Sequence, residues 1–176
     1  GHAVLQARAV VGDNPFAVLL PDVIVNPYAS DYNNQNLAFM LSQFNTDHHS
    51  QILVDPVADS DISKYGIAKL ESAQKIQKTD DIQSYPVNGF VEKPKLEDAP
   101  SNLAVVGRYV FTPQIFDYLA KTEPSVGGEI QLTDAIDALI STQGVDVVTM
   151  VGNSFDAGDM SSYMQAFCYF AEKLAQ

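Results

Sequence analysis

The chain has 176 residues, 46% of them hydrophobic and 18% charged, an ordinary globular balance with enough length for one α/β domain and its core. A formal net charge of −12 argues against non-specific nucleic-acid binding, which needs clustered Lys and Arg to displace counterions. No segment has the length of a membrane span and no signal-peptide pattern opens the chain. The lone Cys168 cannot form an internal disulfide, so a reducing cytoplasm is the simplest compartment.

Gly1-His2-Ala3-Val4-Leu5 reads like the interior of a structured element, which points to a processed chain or a piece of a longer one. Phe16-Ala17-Val18-Leu19-Leu20 is a continuous apolar run closed by Pro21-Asp22, the pattern of a strand buried on both faces. From about Asn33 to Asn45 the period is helical, with Leu37, Met40, Leu41 and Phe44 on one face. Gln51-Ile52-Leu53-Val54 is a second buried strand, and Tyr65 to Leu70 alternates like a half-exposed one. The polar stretch from Lys75 to Ser84 reads as a turn between antiparallel strands, the second leading into Phe90-Val91-Glu92-Lys93.

Leu103 to Phe111 is the longest strand candidate. Thr112-Pro113 then supplies a cap and a first-turn proline for a helix through about Lys121. Gly127-Gly128 separates it from a helix over Leu132 to Ser141, with Ala135, Ile136, Leu139 and Ile140 inward. Val145 to Val151 is a strand, and Asp156-Ala157-Gly158 a turn. Ser162 and Gln165 suggest a capping box for a last helix whose inward stripe is Tyr163, Phe167, Phe170 and Leu174. Cys168 falls in that pattern and reads as a buried core thiol. Strands alternating with helices predict a mixed, largely parallel α/β sheet with an antiparallel insertion over Tyr65–Lys93, in a single domain spanning residues 1–176.

Three places carry chemistry. Asp22 lies where a strand ends, and ligands of open α/β sheets bind beyond the carboxyl ends of strands; it is also ordinary turn chemistry. Asp156 precedes Ala157-Gly158, a tight turn that either presents the carboxylate to a ligand or simply turns the chain. Glu92-Lys93 can hold a sugar hydroxyl and a phosphate, or form a surface ion pair of little energetic worth. A Mg²⁺ ion working on phosphates takes hard oxygen ligands, commonly one or two carboxylates, and a lysine offers a point charge to a phosphate. Gly66 and Gly107 lie inside strand patterns and mark bulges or close approaches. His48-His49 follow a helix end with no cysteine or further histidine nearby, which speaks against zinc. No nucleophile elbow, dinucleotide fingerprint or Walker loop is present.

Taken together, these stretches resemble the bacterial UTP–glucose-1-phosphate uridylyltransferases. The resemblance is carried by Gly1-His2-Ala3-Val4-Leu5, Val11-Gly12-Asp13-Asn14-Pro15-Phe16, Leu20-Pro21-Asp22-Val23 and Val91-Glu92-Lys93-Pro94-Lys95. It continues through Pro100 to Val110, Gly128-Glu129-Ile130-Gln131-Leu132-Thr133-Asp134-Ala135-Ile136 and Tyr163-Met164-Gln165-Ala166-Phe167. The Glu-Lys-Pro and Glu-Ile-Gln-Leu-Thr-Asp stretches are the specific ones; Leu-Pro-Asp is shared with sugar nucleotidyltransferases at large.

The resemblance implies a Rossmann-like sugar nucleotidyltransferase sheet, incomplete on its amino-terminal side. It implies a Mg²⁺-dependent reaction of UTP with glucose 1-phosphate to UDP-glucose and pyrophosphate, and dimers or tetramers of the full-length protein. By motif position Asp22 and Asp156 would hold Mg²⁺, Lys93 would contact the sugar phosphate and Glu92 the glucose hydroxyls. Gly66, Val106 and Gly107 would line the sugar pocket through backbone contacts, with Glu129 contacting ligand or supporting the site. Two departures stand out. The family's glycine-rich nucleotide loop is absent from this chain, and Ala157 and Met160 replace a cysteine and a lysine around the second aspartate. They imply a chain inactive alone or, as the alternative, a non-catalytic regulatory or assembly relative that binds sugar nucleotide without turnover.

Overall fold

A computed structural model of the chain describes residues 1–26, 32–71, 81–125 and 128–175. In chain order the elements are α1 (His2–Gln6), α2 (Arg8–Val11), β1 (Phe16–Leu19), β2 (Val23–Val25), α3 (Tyr32–Asp47), β3 (Ser50–Pro56), β4 (Gly66–Leu70) and β5 (Ser84–Glu92). They continue with β6 (Leu103–Phe111), α4 (Ile115–Leu119), α5 (Leu132–Ile140), β7 (Val145–Thr149), β8 (Ser154–Asp156) and α6 (Met160–Leu174). Most of the turn expected from Lys75 to Ser84, and Gly127, lie outside the described residues.

The main sheet has the order β1-β6-β3-β7-β5-β4, and β2 and β8 form a separate two-stranded sheet. The expected mixed α/β architecture is present, but its parallel share is smaller than expected. Among the described strands only β3 and β7 pair in parallel; β1–β6, β3–β6, β5–β7 and β4–β5 are antiparallel. The reason is topological: β6 runs back between β1 and β3, so those two strands, which point the same way, are not neighbours. The insertion over Tyr65–Lys93 is antiparallel as expected, with Gly66 opposite Glu92.

Alternation on β3 sets the layers, because successive side chains leave a strand on opposite faces. Ile52 and Val54 pack with Phe111, Phe116, Ile136 and Leu139 beneath α4 and α5. Leu53 points the other way, into Met40, Phe44, Val110 and Val148 beneath α3. Leu37 borders that second core, whereas Leu41, expected beside it, is exposed. On α5, Ala135, Ile136 and Leu139 are fully buried as their spacing predicts.

Two expectations fail at the periphery. β1 is an edge strand of alternating burial, with Leu19 53% exposed, because among the described strands it pairs only with β6. The stripe on α6 faces outward: Tyr163, Phe167 and Leu174 are exposed, and so is Cys168. Ala166 is the buried residue of that helix, while Tyr169 and Phe170 pack on Phe155 at ring separations of 5.0 and 5.5 Å. The cap also differs. Asp159, rather than Ser162, accepts the capping hydrogen bond, from Ser162 N–H at 2.9 Å, so α6 starts three residues earlier than the sequence pattern indicates.

Candidate active site

The first wall of the site is built from backbone. Ile52 pairs with Tyr109 and Val54 with Val105, so the single residue between them on β3 faces Val106, Gly107 and Arg108 in a bulge of β6. Gly107 takes φ +69°, and a Cβ there would fall 3.0 Å from Leu20 Cδ1, so glycine suits both the conformation and the close approach. Leu20 N–H donates to the Gly107 carbonyl at 3.0 Å, fixing the end of β1 just before Pro21-Asp22. Next, β2 pairs with β8 so that Val23 stands opposite Asp156, and Ala157 N–H donates to the Asp22 carbonyl at 2.7 Å. Two aspartates far apart in sequence are thereby brought side by side. A Cβ on Gly158 would lie 3.0 Å from Asp156 Oδ1 and 3.7 Å from Asp22 Oδ2, so that glycine leaves open the space both carboxylates face.

The second wall is built from side chains. Gly66 sits opposite Glu92, and a Cβ on it would meet Thr133 Cγ2 at 3.0 Å and Glu92 Oε2 at 3.1 Å. Thr133 Oγ1 donates to Glu92 Oε2 at 3.2 Å, and Lys93 Nζ lies 3.8 Å from Glu92 Oε1. Lys93 adopts φ +46°, an uncommon conformation for a residue with a side chain, held by its N–H donating to the Tyr65 carbonyl at 3.0 Å. The ammonium itself stays largely exposed, available to an anion.

Between the walls lies an open cleft of about 400 Å³ lined by Asp22, Gly66, Glu92, Lys93, Gly107 and Asp156. Six expected site residues therefore converge. Val106 and Glu129 do not line this cleft. Val106 points to the opposite face, into the core with Met40 and Val110, because residues adjacent on a strand alternate. Its neighbour Val105 borders the cleft instead. Glu129 is exposed on the approach to α5, its carbonyl accepting from Ser125 N–H at 2.9 Å.

Tyr109 and Thr133 also line the cleft and escaped the sequence reading as site residues. Tyr109 follows Gly107 by two residues on one strand, so alternation from Gly107 was the available signal. Burial, with Glu92 and Asp22 adding to it, pushes the Tyr109 hydroxyl well above its ordinary pKa, which keeps it protonated. Burial also raises Tyr65, with Asp156 the next cause and a hydrogen bond to that carboxylate contributing. On Arg108, burial lowers the pKa and the nearby Asp22 opposes that fall.

A second polar grouping lies where β3 and β7 begin, the opposite end from the termination of β1. His49 Nδ1 meets Asp146 Oδ2 at 2.9 Å, and with Asp47 these residues offer potential metal-ligating atoms within 4.8 Å of one another. Looking only for cysteine or histidine partners hid this grouping, since both of its other members are aspartates.

A family model described as Nucleotidyl transferase matches residues 1–173. The chain belongs to the nucleotidyl transferase family. It is 48% identical, over its whole length, to a UTP–glucose-1-phosphate uridylyltransferase of Haemophilus influenzae, of which it covers 59%. Among solved structures it resembles a UTP-bound UGPase from Acinetobacter baumannii, with TM-score 0.81 and 41% identity, over 96% of this chain and 55% of that one. A UDP-glucose pyrophosphorylase complexed with UDP-glucose superposes with TM-score 0.83 at 34% identity, over 98% of this chain and 61% of that one. The chain thus spans little more than half the length of these relatives. Among the described residues no helix is long and apolar enough to cross a membrane.

Proposed function

We propose that the chain forms the sugar- and metal-binding part of a cytoplasmic UTP–glucose-1-phosphate uridylyltransferase, folded as one domain over residues 1–176. The observation that carries this reading is the convergence of Asp22 and Asp156 at one side of a cleft whose other side holds Glu92 and Lys93. In the overall reaction a phosphate oxygen of glucose 1-phosphate bonds to the α-phosphorus of UTP. The bond from that phosphorus to the bridging oxygen breaks, and pyrophosphate departs with the electron pair.

Mg²⁺ fits the residues present. The two carboxylates are hard oxygen donors, and they face a space that a single Cβ at position 158 would enter. Asp22 and Asp156 would hold the ion, which when bound supplies positive charge to phosphate oxygens. The chain's own groups do the rest. Lys93 holds the sugar phosphate through its exposed ammonium, and Glu92 accepts from glucose hydroxyls in the orientation Thr133 fixes. Gly66 and Gly107 keep the pocket floor free of side chains, and the Tyr109 hydroxyl donates from within it. Val106 acts through its place in the bulge and Glu129 through the lead-in to α5.

UDP-glucose with Mg²⁺ should raise the melting temperature of the chain, since a ligand that binds only the folded state stabilises it by mass action. Asp22→Asn should abolish the Mg²⁺-dependent part of that shift; an undiminished shift would remove Asp22 from the metal site. The chain holds no glycine-rich loop, so the 176-residue chain alone should show no turnover of UTP and glucose 1-phosphate.

A second reading, binding without turnover, draws on Met160, which is 74% exposed at the start of α6, where the resemblance places a lysine. If Met160→Lys leaves the activity of the longer protein unchanged, that position handles no phosphate. The outward Tyr163, Met164 and Phe167 face of α6 suits a contact between copies in a homo-oligomer, which light scattering of the purified protein would detect.

A further inference from the structure

We infer that Arg108 is a positioning residue for Asp22, acting by stapling the turn that carries the carboxylate. This rests on the reading of Asp22 as a metal ligand. The guanidinium donates to main-chain carbonyls on both sides of that residue: to Leu20 O at 3.0 Å and to Val23 O at 2.6 Å. It also donates to the carbonyl of its own neighbour Gly107, at 3.2 Å. That last carbonyl is the one that accepts Leu20 N–H, so bulge, turn and side chain close into one hydrogen-bonded unit.

The bulge makes this possible. Arg108 pairs with Leu19 at the end of β1, and the unpaired residues before it swing the strand so that the side chain reaches past the end of its partner. From the other side, Ala157 N–H holds the Asp22 carbonyl at 2.7 Å. Asp22 is thus clamped between Arg108 and the Asp156-Ala157-Gly158 turn, and the spacing of the two carboxylates depends on both clamps. A flat guanidinium with five donors can serve several carbonyls at once, and it keeps its charge when half-buried; an ammonium on a flexible stem matches that geometry poorly. Arg108 has no place in the cleft lining itself, so its effect reaches the ligand through what it holds, the Gly107 carbonyl and the turn that carries Asp22.

The decisive experiment compares wild type with Arg108→Lys by two readouts. The first needs no ligand: amide hydrogen exchange at Ala157, whose N–H reports the Asp22 contact. Exchange there should accelerate about tenfold in Arg108→Lys while β3 and β7 amides keep their rates, since a local opening changes only local protection. The second is Mg²⁺ affinity in the presence of UDP-glucose. It should weaken roughly tenfold, the lower end for loss of a group supporting a metal ligand, while glucose 1-phosphate affinity without metal stays as in wild type. Unchanged exchange at Ala157 in a folded Arg108→Lys protein overturns the proposal, and so does weaker Mg²⁺ binding without that change. If wild type binds no Mg²⁺, the metal reading of Asp22 fails by itself, and the exchange result alone decides the role of Arg108 as a staple. Should Arg108→Lys not fold, Arg108→Gln is measured in its place; failure of both to fold marks a fold residue and overturns the proposal.

Discussion

The two walls of the cleft hold their functional groups by different means. On the aspartate wall, main-chain N–H groups fix the positions: Leu20 N–H donates to the Gly107 carbonyl, Ala157 N–H to the Asp22 carbonyl, and Gly158 N–H to the Asp156 side chain at Oδ1, 2.9 Å away. On the Glu92–Lys93 wall, side chains hold side chains, through Thr133 to Glu92 and a 3.8 Å ion pair from Glu92 to Lys93. A metal ligand set tolerates little drift, which backbone clamps resist. A sugar pocket has to choose among hydroxyl arrangements, which side-chain networks can be tuned to do. Substitutions on the second wall should therefore give graded losses, while those on the first should act as a unit.

The largest effect expected on the second wall comes from Lys93→Met, which removes the phosphate-facing cation. UDP-glucose affinity should fall roughly 10- to 100-fold, the range of about 1.5–3 kcal/mol for a hydrogen bond to a charged group, as read by calorimetry. Affinity unchanged within error would mean that the phosphate lies elsewhere. Gly66→Ala comes next. Its methyl group would press Thr133 Cγ2 and Glu92 Oε2 at 3.0 and 3.1 Å, so the network shifts or the fold loses about 1–3 kcal/mol, which chemical denaturation would register.

Thr133→Val keeps the shape and removes one hydrogen bond to Glu92. Sugar binding should weaken by about fivefold, equivalent to ~1 kcal/mol, with Mg²⁺ affinity unmoved. A parallel loss of Mg²⁺ affinity would show that the walls are coupled and break the distinction between them.

The smallest effect is at Asp137 on α5, behind the second wall. Burial raises its pKa above 3.8, partly offset by the hydrogen bond its Oδ1 accepts from Phe90 N–H at 2.6 Å. A carboxyl with a raised folded pKa contributes stability below its unfolded value and loses it as pH rises through the folded one. Asp137→Asn keeps an acceptor for Phe90 and cannot ionise. It should flatten the fall in stability just above pH 4, by less than about 0.5 kcal/mol given the solvent exposure of α5 there. A steeper fall in the variant would reverse the assigned sign.

What the sequence reveals follows from how far each signal reaches. The stripe of α5 is legible because that helix lies on a broad sheet face, and Ala135, Ile136 and Leu139 meet it as their spacing requires. The same reasoning fails on α6, which among the described elements packs chiefly on the short β8. There Ala166 and the Tyr169–Phe170 pair are the packed residues, while the larger Phe167 stays out. Apolar spacing reports a stripe but not whether a surface exists to receive it.

The site divides similarly. Gly66 and Gly107 read in the sequence as bulge or close-approach positions, and Gly107 is both. Asp22 and Asp156 were recognisable separately, but the β2–β8 pairing that joins them involves strands of three residues, too short to leave a pattern. The side chain of Val106 lies in the core, whereas that of Val105, one step away on the strand, borders the cleft. Thr133 was hidden because its role is to hold Glu92, a contact between residues 41 apart.

Crystals of the chain grown with UDP-glucose and Mn²⁺ in place of Mg²⁺ would locate the metal by anomalous scattering. The predicted result is a peak between the carboxylates of Asp22 and Asp156. No peak there, or one only at the Asp47–His49–Asp146 grouping at the far end of the sheet, would contradict the assignment of the cleft as the metal-dependent sugar-nucleotide site.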